Sequence, residues 1–199
     1  MRNLIVGVAI STLLAVGLTA CSSTDPLAEQ FGDRTESGYV SQSGSISEFP
    51  LGSRGEPVTF VDLTTDLGTM VSSDDYIDEV LVVNFWYAAC PPCRVEAPDL
   101  ARLSAQFDGK GASFLGINIY DGPESSMAFA RTFDIPYPSI IDRDSGLARL
   151  AFAGHAPPSA VPTTLVVDKQ GRVAARFLGL IEAPTALDTI IRELIDEEL

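Results

Sequence analysis

The sequence predicts one α/β domain built on a mixed sheet. Three observations carry that prediction. The run Val80-Leu81-Val82-Val83-Asn84-Phe85-Trp86 is continuous and β-branched, as expected of a central strand buried on both faces, and a helical pattern follows it at once. The elements then alternate in the order β-β-β-α-β-α-β-α-β-β-α. The chain finally closes on a helix whose Leu187, Ile190, Ile191, Leu194 and Ile195 recur at i, i+3, i+4, i+7 and i+8.

Each element has its own signal. Residues 58–63 alternate like a strand, Thr65-Asp66-Leu67-Gly68 supplies a turn, and residues 69–71 return as a hairpin partner. Residues 73–76 form a short helical turn. Residues 92–107 read as a helix with Val95, Leu100, Leu103 and Phe107 on one side and Pro98 inside it. Residues 112–119 are the next strand, and 123–133 a helix with proline at its start. A short strand at 138–141 and a short helix at 146–152 follow. Residues 163–167, the turn Asp168-Lys169-Gln170-Gly171 and residues 172–177 form a hairpin before the helix at 185–197.

The first twenty residues stand apart. Met1-Arg2-Asn3 is a short basic head, and residues 4–18 are an apolar run too short for a spanning helix but suited to a signal peptide. It ends at Leu18-Thr19-Ala20-Cys21, a string like a bacterial lipobox, in which Cys21 becomes the lipidated N-terminus after cleavage. Several acyl chains would then anchor the protein stably in the cell membrane, facing the extracytoplasmic side. Residues 21–55 read as the lipidated end and a flexible tether, with the domain at 56–199. The 29 residues from 22 to 50, rich in Ser, Thr, Gly and acids, reach roughly 30 Å as a random coil.

The chain has 199 residues, is 46% apolar and carries a net charge of −14, which becomes −15 once Arg2 leaves with the leader. That balance argues against a nucleic-acid partner, since phosphate binding needs basic surface. Cysteine usage narrows the chemistry. Of three cysteines, lipidation of Cys21 leaves one pair, Cys90 and Cys93, in an exported compartment that permits disulfides. Cys90-Pro91-Pro92-Cys93 lies where the strand becomes a helix. There the helix N-terminus favours a thiolate on the first cysteine, and a short C-x-x-C bond is suited to cycling. Zinc is a poor fit, with two cysteines and the single, distant His155.

With Val83-Asn84-Phe85-Trp86 before the motif, Cys93-Arg94-Val95-Glu96-Ala97-Pro98 after it and Val161-Pro162-Thr163-Thr164 before a strand, residues 56–199 resemble the extracytoplasmic thioredoxin-like thiol–disulfide oxidoreductases of the ResA/TlpA/CcmG group. The turn 168–171 and the segment 120–141 match as well. The resemblance implies a thioredoxin-like fold, a central mixed β-sheet flanked by helices, with an N-terminal β-hairpin and a helical insertion. It implies a cis bond at Val161-Pro162 facing the cysteines, with the Val161 backbone open to a substrate strand. It also gives Glu96 the proton-transfer role that thioredoxins assign to an aspartate at the position of Asn84.

Cys90 is expected to sit at the exposed end of the helix and attack a substrate disulfide, and Cys93 to resolve the mixed disulfide. Pro91 and Pro92 lack N–H groups, so the thiolate leans on the Cys93 N–H, and the Cys90 thiol should be only modestly more acidic than a free one. Trp86 packs beneath the site, and Arg94 is an exposed first-turn cation. The family often carries Trp just before the first cysteine. Ala89 stands here, with Tyr87 two places earlier, so the groove is reshaped, and the loop 154–160 looks longer than usual. His155 reads as an exposed loop residue.

No cofactor beyond the Cys90–Cys93 disulfide is needed. The expected partners are protein thiols and disulfides, with apocytochrome c the substrate the resemblance suggests, and a transmembrane thiol protein as electron donor. The chain has no C-x-x-C-H of its own. Two alternatives stay open: an oxidase or isomerase using the same residues, and a non-catalytic envelope chaperone. A peroxidase is disfavoured, because residues 85–89 lack the Pro and Thr a peroxidatic cysteine wants upstream.

Overall fold

The computed structural model describes residues 45–157 and 159–198. The leader, Cys21 and the tether through residue 44 lie outside the described residues. Among the described residues eight strands are formed: β1 (Ser45–Glu48), β2 (Leu63–Thr64), β3 (Met70–Val71), β4 (Val80–Trp86), β5 (Ala112–Asn118), β6 (Ser139–Ile141), β7 (Thr163–Val167) and β8 (Val173–Leu178). Four α-helices of the same residues join them: α1 (Pro91–Phe107), α2 (Pro123–Phe133), α3 (Leu147–Ala151) and α4 (Pro184–Asp196). Among the described residues no helix is long and apolar enough to cross a membrane.

The main sheet runs β1-β8-β7-β4-β5-β6. β4, β5 and β6 are parallel, as strands joined through helices α1 and α2 must be, while β7, β8 and β1 are antiparallel. Every residue of β4 is buried. Its alternation feeds two cores. Val80 and Val82 pack with Leu100, Leu103 and Phe107 of α1 and Leu187 and Ile191 of α4. Leu81, Val83 and Phe85 pack on the opposite face with Phe60, Phe152 and Leu165. This is the thioredoxin-like arrangement.

Two expectations need correction. Residues 58–63 do not form a strand; only Leu63–Thr64 pairs, with Met70–Val71. Val58 and Phe60 do enter the core, but their backbone bonds go to Gly171 and Ser73, and Asp62 has a φ of 51°, which ends any alternation. The tether also ends earlier than residue 55. Ser45–Glu48 pairs antiparallel with β8 as an edge strand, and Phe49 continues that ladder through its N–H to Ala174 O.

Arg54 fastens this segment. Its Nε donates to Phe49 O (3.0 Å), Nη1 to Asp168 Oδ2 (2.9 Å) and Nη2 to Glu197 Oε1 (2.9 Å). Its side chain is 5% exposed and that of Asp168 1%. Lys169 Nζ closes the same corner on the carbonyls of Ile195 and Glu197. Truncating one partner of a buried pair leaves the other charge uncompensated. Arg54→Ala should therefore destabilise the domain by about 2 kcal/mol, discounted for the part-exposed Glu197. Urea unfolding checks this, with a lowered midpoint and an unchanged slope expected.

Candidate active site

The site stands at the C-terminal end of β4. The chain leaves Trp86, turns through Tyr87–Ala89 and enters α1 with Cys90 as the residue capping its N-terminus. Cys90 and Cys93 form a disulfide with Cα atoms 5.3 Å apart. The Cys93 N–H donates to Cys90 Sγ at 3.2 Å. Proline at 91 and 92 removes the two other first-turn donors, and the helix begins at Pro91, one residue before the sequence places it. Each cysteine is 2% exposed. The expected exposure of Cys90 is thus not met in the oxidised form, because Trp86, Phe129, Ala88 and Val161 pack around the bond.

Glu96 lies one turn past Cys93 on the same side of α1 and is 2% exposed. Its Oε1 accepts from Asn84 Nδ2 at 2.9 Å, and its Oε2 from the Ile181 N–H at 3.2 Å. Burial pushes its pKa up to about 7, against the pull of those two hydrogen bonds. Asn84 also donates to Thr164 Oγ1 at 2.9 Å, so it ties α1 to β7. Behind Cys93 a pocket of about 10 Å³, room for one water molecule at most, is lined by Asn84, Trp86, Leu100, Phe129 and Tyr137. Burial and the nearby Glu96 charge raise the Tyr137 pKa far above that of an ordinary phenol, so it stays neutral.

Val161-Pro162 is a cis peptide. It enters β7, whose Thr163 pairs with Phe85 of β4, and this brings Val161 against the cysteine cluster. Pro162 O accepts from Gly179 N. Among the described residues, the N–H and C=O of Val161 have no hydrogen-bond partner. His155 sits instead against Gly55, and its carbonyl accepts from Arg176. Burial, with the Arg176 charge, holds its pKa below the usual histidine value.

Trp86 lies beneath the site as expected, stacked on Phe129 with centroids 4.2 Å apart. Arg94 is exposed, lies 5.0 Å from the Phe133 centroid, and donates to Ala88 O at 3.1 Å. The opposite side of that loop is held by a residue sequence reasoning missed: Asp121 Oδ2 accepts from Ala88 N and from Asn118 Nδ2. The available signal was Asn118-x-x-Asp121 at a strand end, where Asn118 Oδ1 takes the N–H groups of Tyr120 and Asp121. Ser139, whose Oγ accepts from Trp86 Nε1 at 3.2 Å, had no such signal.

A ring-closed dithiol beside a buried acid and, among the described residues, an unpaired peptide group before β7 suits thiol–disulfide exchange, and comparisons with known proteins agree. The AhpC/TSA family model matches residues 55–176. The thiol:disulfide interchange protein DsbE of Pseudomonas aeruginosa is 28% identical over 76% of this chain and 82% of its own. The thiol-disulfide oxidoreductase ResA of Geobacillus thermodenitrificans is 30% identical over 53% of this chain and 58% of its own. The crystal structure of a secreted thiol-disulfide isomerase from Corynebacterium glutamicum superposes with a TM-score of 0.69 at 28% identity, covering 81% of this chain and 98% of that one. By sequence, fold and redox pair alike, this chain belongs to the AhpC/TSA family and is one of its thioredoxin-like thiol–disulfide oxidoreductases.

Proposed function

We propose that the enzyme works outside the cytoplasm as a reductase of protein disulfides, held at the membrane by lipid on Cys21. Its electrons come from a transmembrane thiol protein, and its substrates include apocytochrome c cysteines awaiting haem. No cofactor beyond the Cys90–Cys93 disulfide is invoked. One observation supports the direction of electron flow: among the described residues a single N–H, that of Cys93, reaches Cys90 Sγ. A reduced form whose thiolate has few donors is weakly stabilised, and weak stabilisation of the reduced form makes a dithiol reducing.

In the proposed cycle the Cys90 thiolate attacks one sulfur of the substrate disulfide. The other substrate sulfur leaves as a thiolate, and a Cys90–substrate mixed disulfide forms. Glu96 takes the Cys93 proton, and the Cys93 thiolate attacks Cys90 Sγ, expelling the second substrate thiolate and closing the Cys90–Cys93 bond. The unpaired Val161 N–H and C=O offer the substrate strand two backbone hydrogen bonds beside Cys90. The isomerase name of the Corynebacterium neighbour supports a second reading, disulfide donation or shuffling by the same residues.

The equilibrium potential of a form lacking residues 1–21 separates the two. A value near or below about −270 mV is expected; one near about −120 mV would make the protein an oxidant. The role of Glu96 has its own signature. In the oxidised protein, where neither cysteine titrates, its carboxyl binds a proton between its unfolded value of 4.5 and its folded value of about 7 that the unfolded chain lacks. The resulting stabilisation is complete below pH 4.5 and is lost as pH rises through 7. The loss should approach roughly 3 kcal/mol. Denaturation midpoints of wild type and Glu96→Gln, compared from pH 4 to 8, should diverge over that window. The resolving step of the variant should also lose the ionisation near 7.

A further inference from the structure

Asp66 belongs to the turn of the β2–β3 hairpin, yet it is 6% exposed and pairs with no cation among the described residues. Its two carboxylate oxygens serve different elements. Oδ2 accepts from Ser126 Oγ of α2 at 2.6 Å. Oδ1 accepts from the Ser139 N–H of β6 at 3.1 Å, and the Asp66 N–H returns a bond to Ser139 O at 2.7 Å. Ser126 and Ser139 are themselves 0% and 3% exposed.

Both elements go on to hold one side chain. Ser139 Oγ accepts from Trp86 Nε1, and Phe129, one turn beyond Ser126 on α2, stacks on the indole. The space around this contact is full. A Cβ on Gly116 of β5 would come within 2.1 Å of Ser139 Oγ and 2.9 Å of Trp86 Nε1. Trp86, Phe129 and Ser139 are in turn walls of the pocket behind Cys93.

We propose that Asp66 is a positioning residue for the redox pair: through Ser139 and through Ser126–Phe129 it fixes the Trp86 indole against Cys93. The inference rests on the oxidoreductase activity but assigns that activity a remote support. A loose indole would leave the sulfur environment variable in both redox states, and exchange would slow because the attacking geometry is no longer prepared.

Trp86 is the only tryptophan of the chain, so its fluorescence reports the contact directly. A disulfide packed against an indole quenches it, so the wild-type protein should brighten on reduction. Asp66→Ala and Ser139→Ala should each lose at least half of that redox-linked change, make the indole more accessible to acrylamide, and slow exchange with a model protein disulfide roughly 3- to 10-fold at pH 7. Asp66→Asn keeps an acceptor for Ser139 N and can bond Ser126 Oγ in the reverse sense, so it should restore most of the signal and the rate.

Arg54→Ala is the control for general destabilisation, and it should leave the fluorescence change intact. If Asp66→Ala does not fold, Ser139→Ala decides, since it keeps the backbone bonds of β6 and removes only the indole's acceptor. Wild-type fluorescence and exchange in a folded Asp66→Ala would overturn the proposal, as would the same result in Ser139→Ala or an equal loss in Arg54→Ala. A wild-type protein that brightens on reduction yet exchanges with no disulfide would instead overturn the activity on which the proposal rests.

Discussion

The site depends on β4 being buried on both faces and paired on both edges. β5 and β7 hold its register through ladders on either side, so the position of Trp86 at its end is set by the whole sheet. Along the face that meets α1 the residues are Val80, Val82, Asn84 and Trp86. The first two serve the core; the last two serve chemistry. The same alternation that packs the domain thus delivers an amide to Glu96 and an indole to the underside of the disulfide. A buried amide is tolerated there because its donors are satisfied by Glu96 and Thr164.

Two buried carboxylates show how environment divides their work. Asp168 and Glu96 are 1% and 2% exposed. For each, burial is the largest influence and raises the pKa. Asp168 is nevertheless pulled below the usual aspartate range, because the Arg172 and Gln170 N–H groups and the Arg172 and Arg54 guanidiniums all favour its charged form. Among the described residues Glu96 has two neutral donors and no cation partner, so burial prevails. One acid is a permanent charge that joins segments of the fold. The other, its pKa raised by burial to about 7, has the protonation range that the proposed proton exchange with Cys93 requires.

Much of this was legible from residue order. A continuous apolar run located β4, apolar positions on one side located α1 and α4, and proline marked the start of α2, while family resemblance singled out Glu96. The strand β1 escaped notice because Ser45–Glu48 is short, polar and at an edge; its only signature is backbone pairing with β8. Residues 58–63 misled because alternation reports which side chains go inward, and Val58 and Phe60 do, without reporting whether a partner strand exists. Asp66 and Ser139 were invisible for a related reason. Their partners lie 53 to 73 residues away, and a short polar side chain in a loop or edge strand carries no periodic mark of a long-range contact. The place of Val161-Pro162 came from family resemblance, since spacing alone does not bring residue 161 beside residue 90.

How that segment reaches the cysteines is a matter of where the chain's few useful cations sit. Exposed pairs such as Arg102–Asp99 and Arg143–Asp144 contribute little. The strong anchors are the acids that water does not reach. Asp142, 0% exposed, takes the N–H groups of Ala148 and Arg149 at the start of α3 and the Arg149 guanidinium besides. Asp168 does the same for the turn after β7, with Arg54 and Arg172. These two carboxylates bracket residues 142–168, the stretch that carries the cis peptide. With both ends fixed and β7 in register on β4, the chain between α3 and β7 must deliver Val161 to the disulfide. Among the described residues its N–H and C=O have no partner, so the backbone just before β7 stands open beside the cysteines, where the proposed substrate strand would pair.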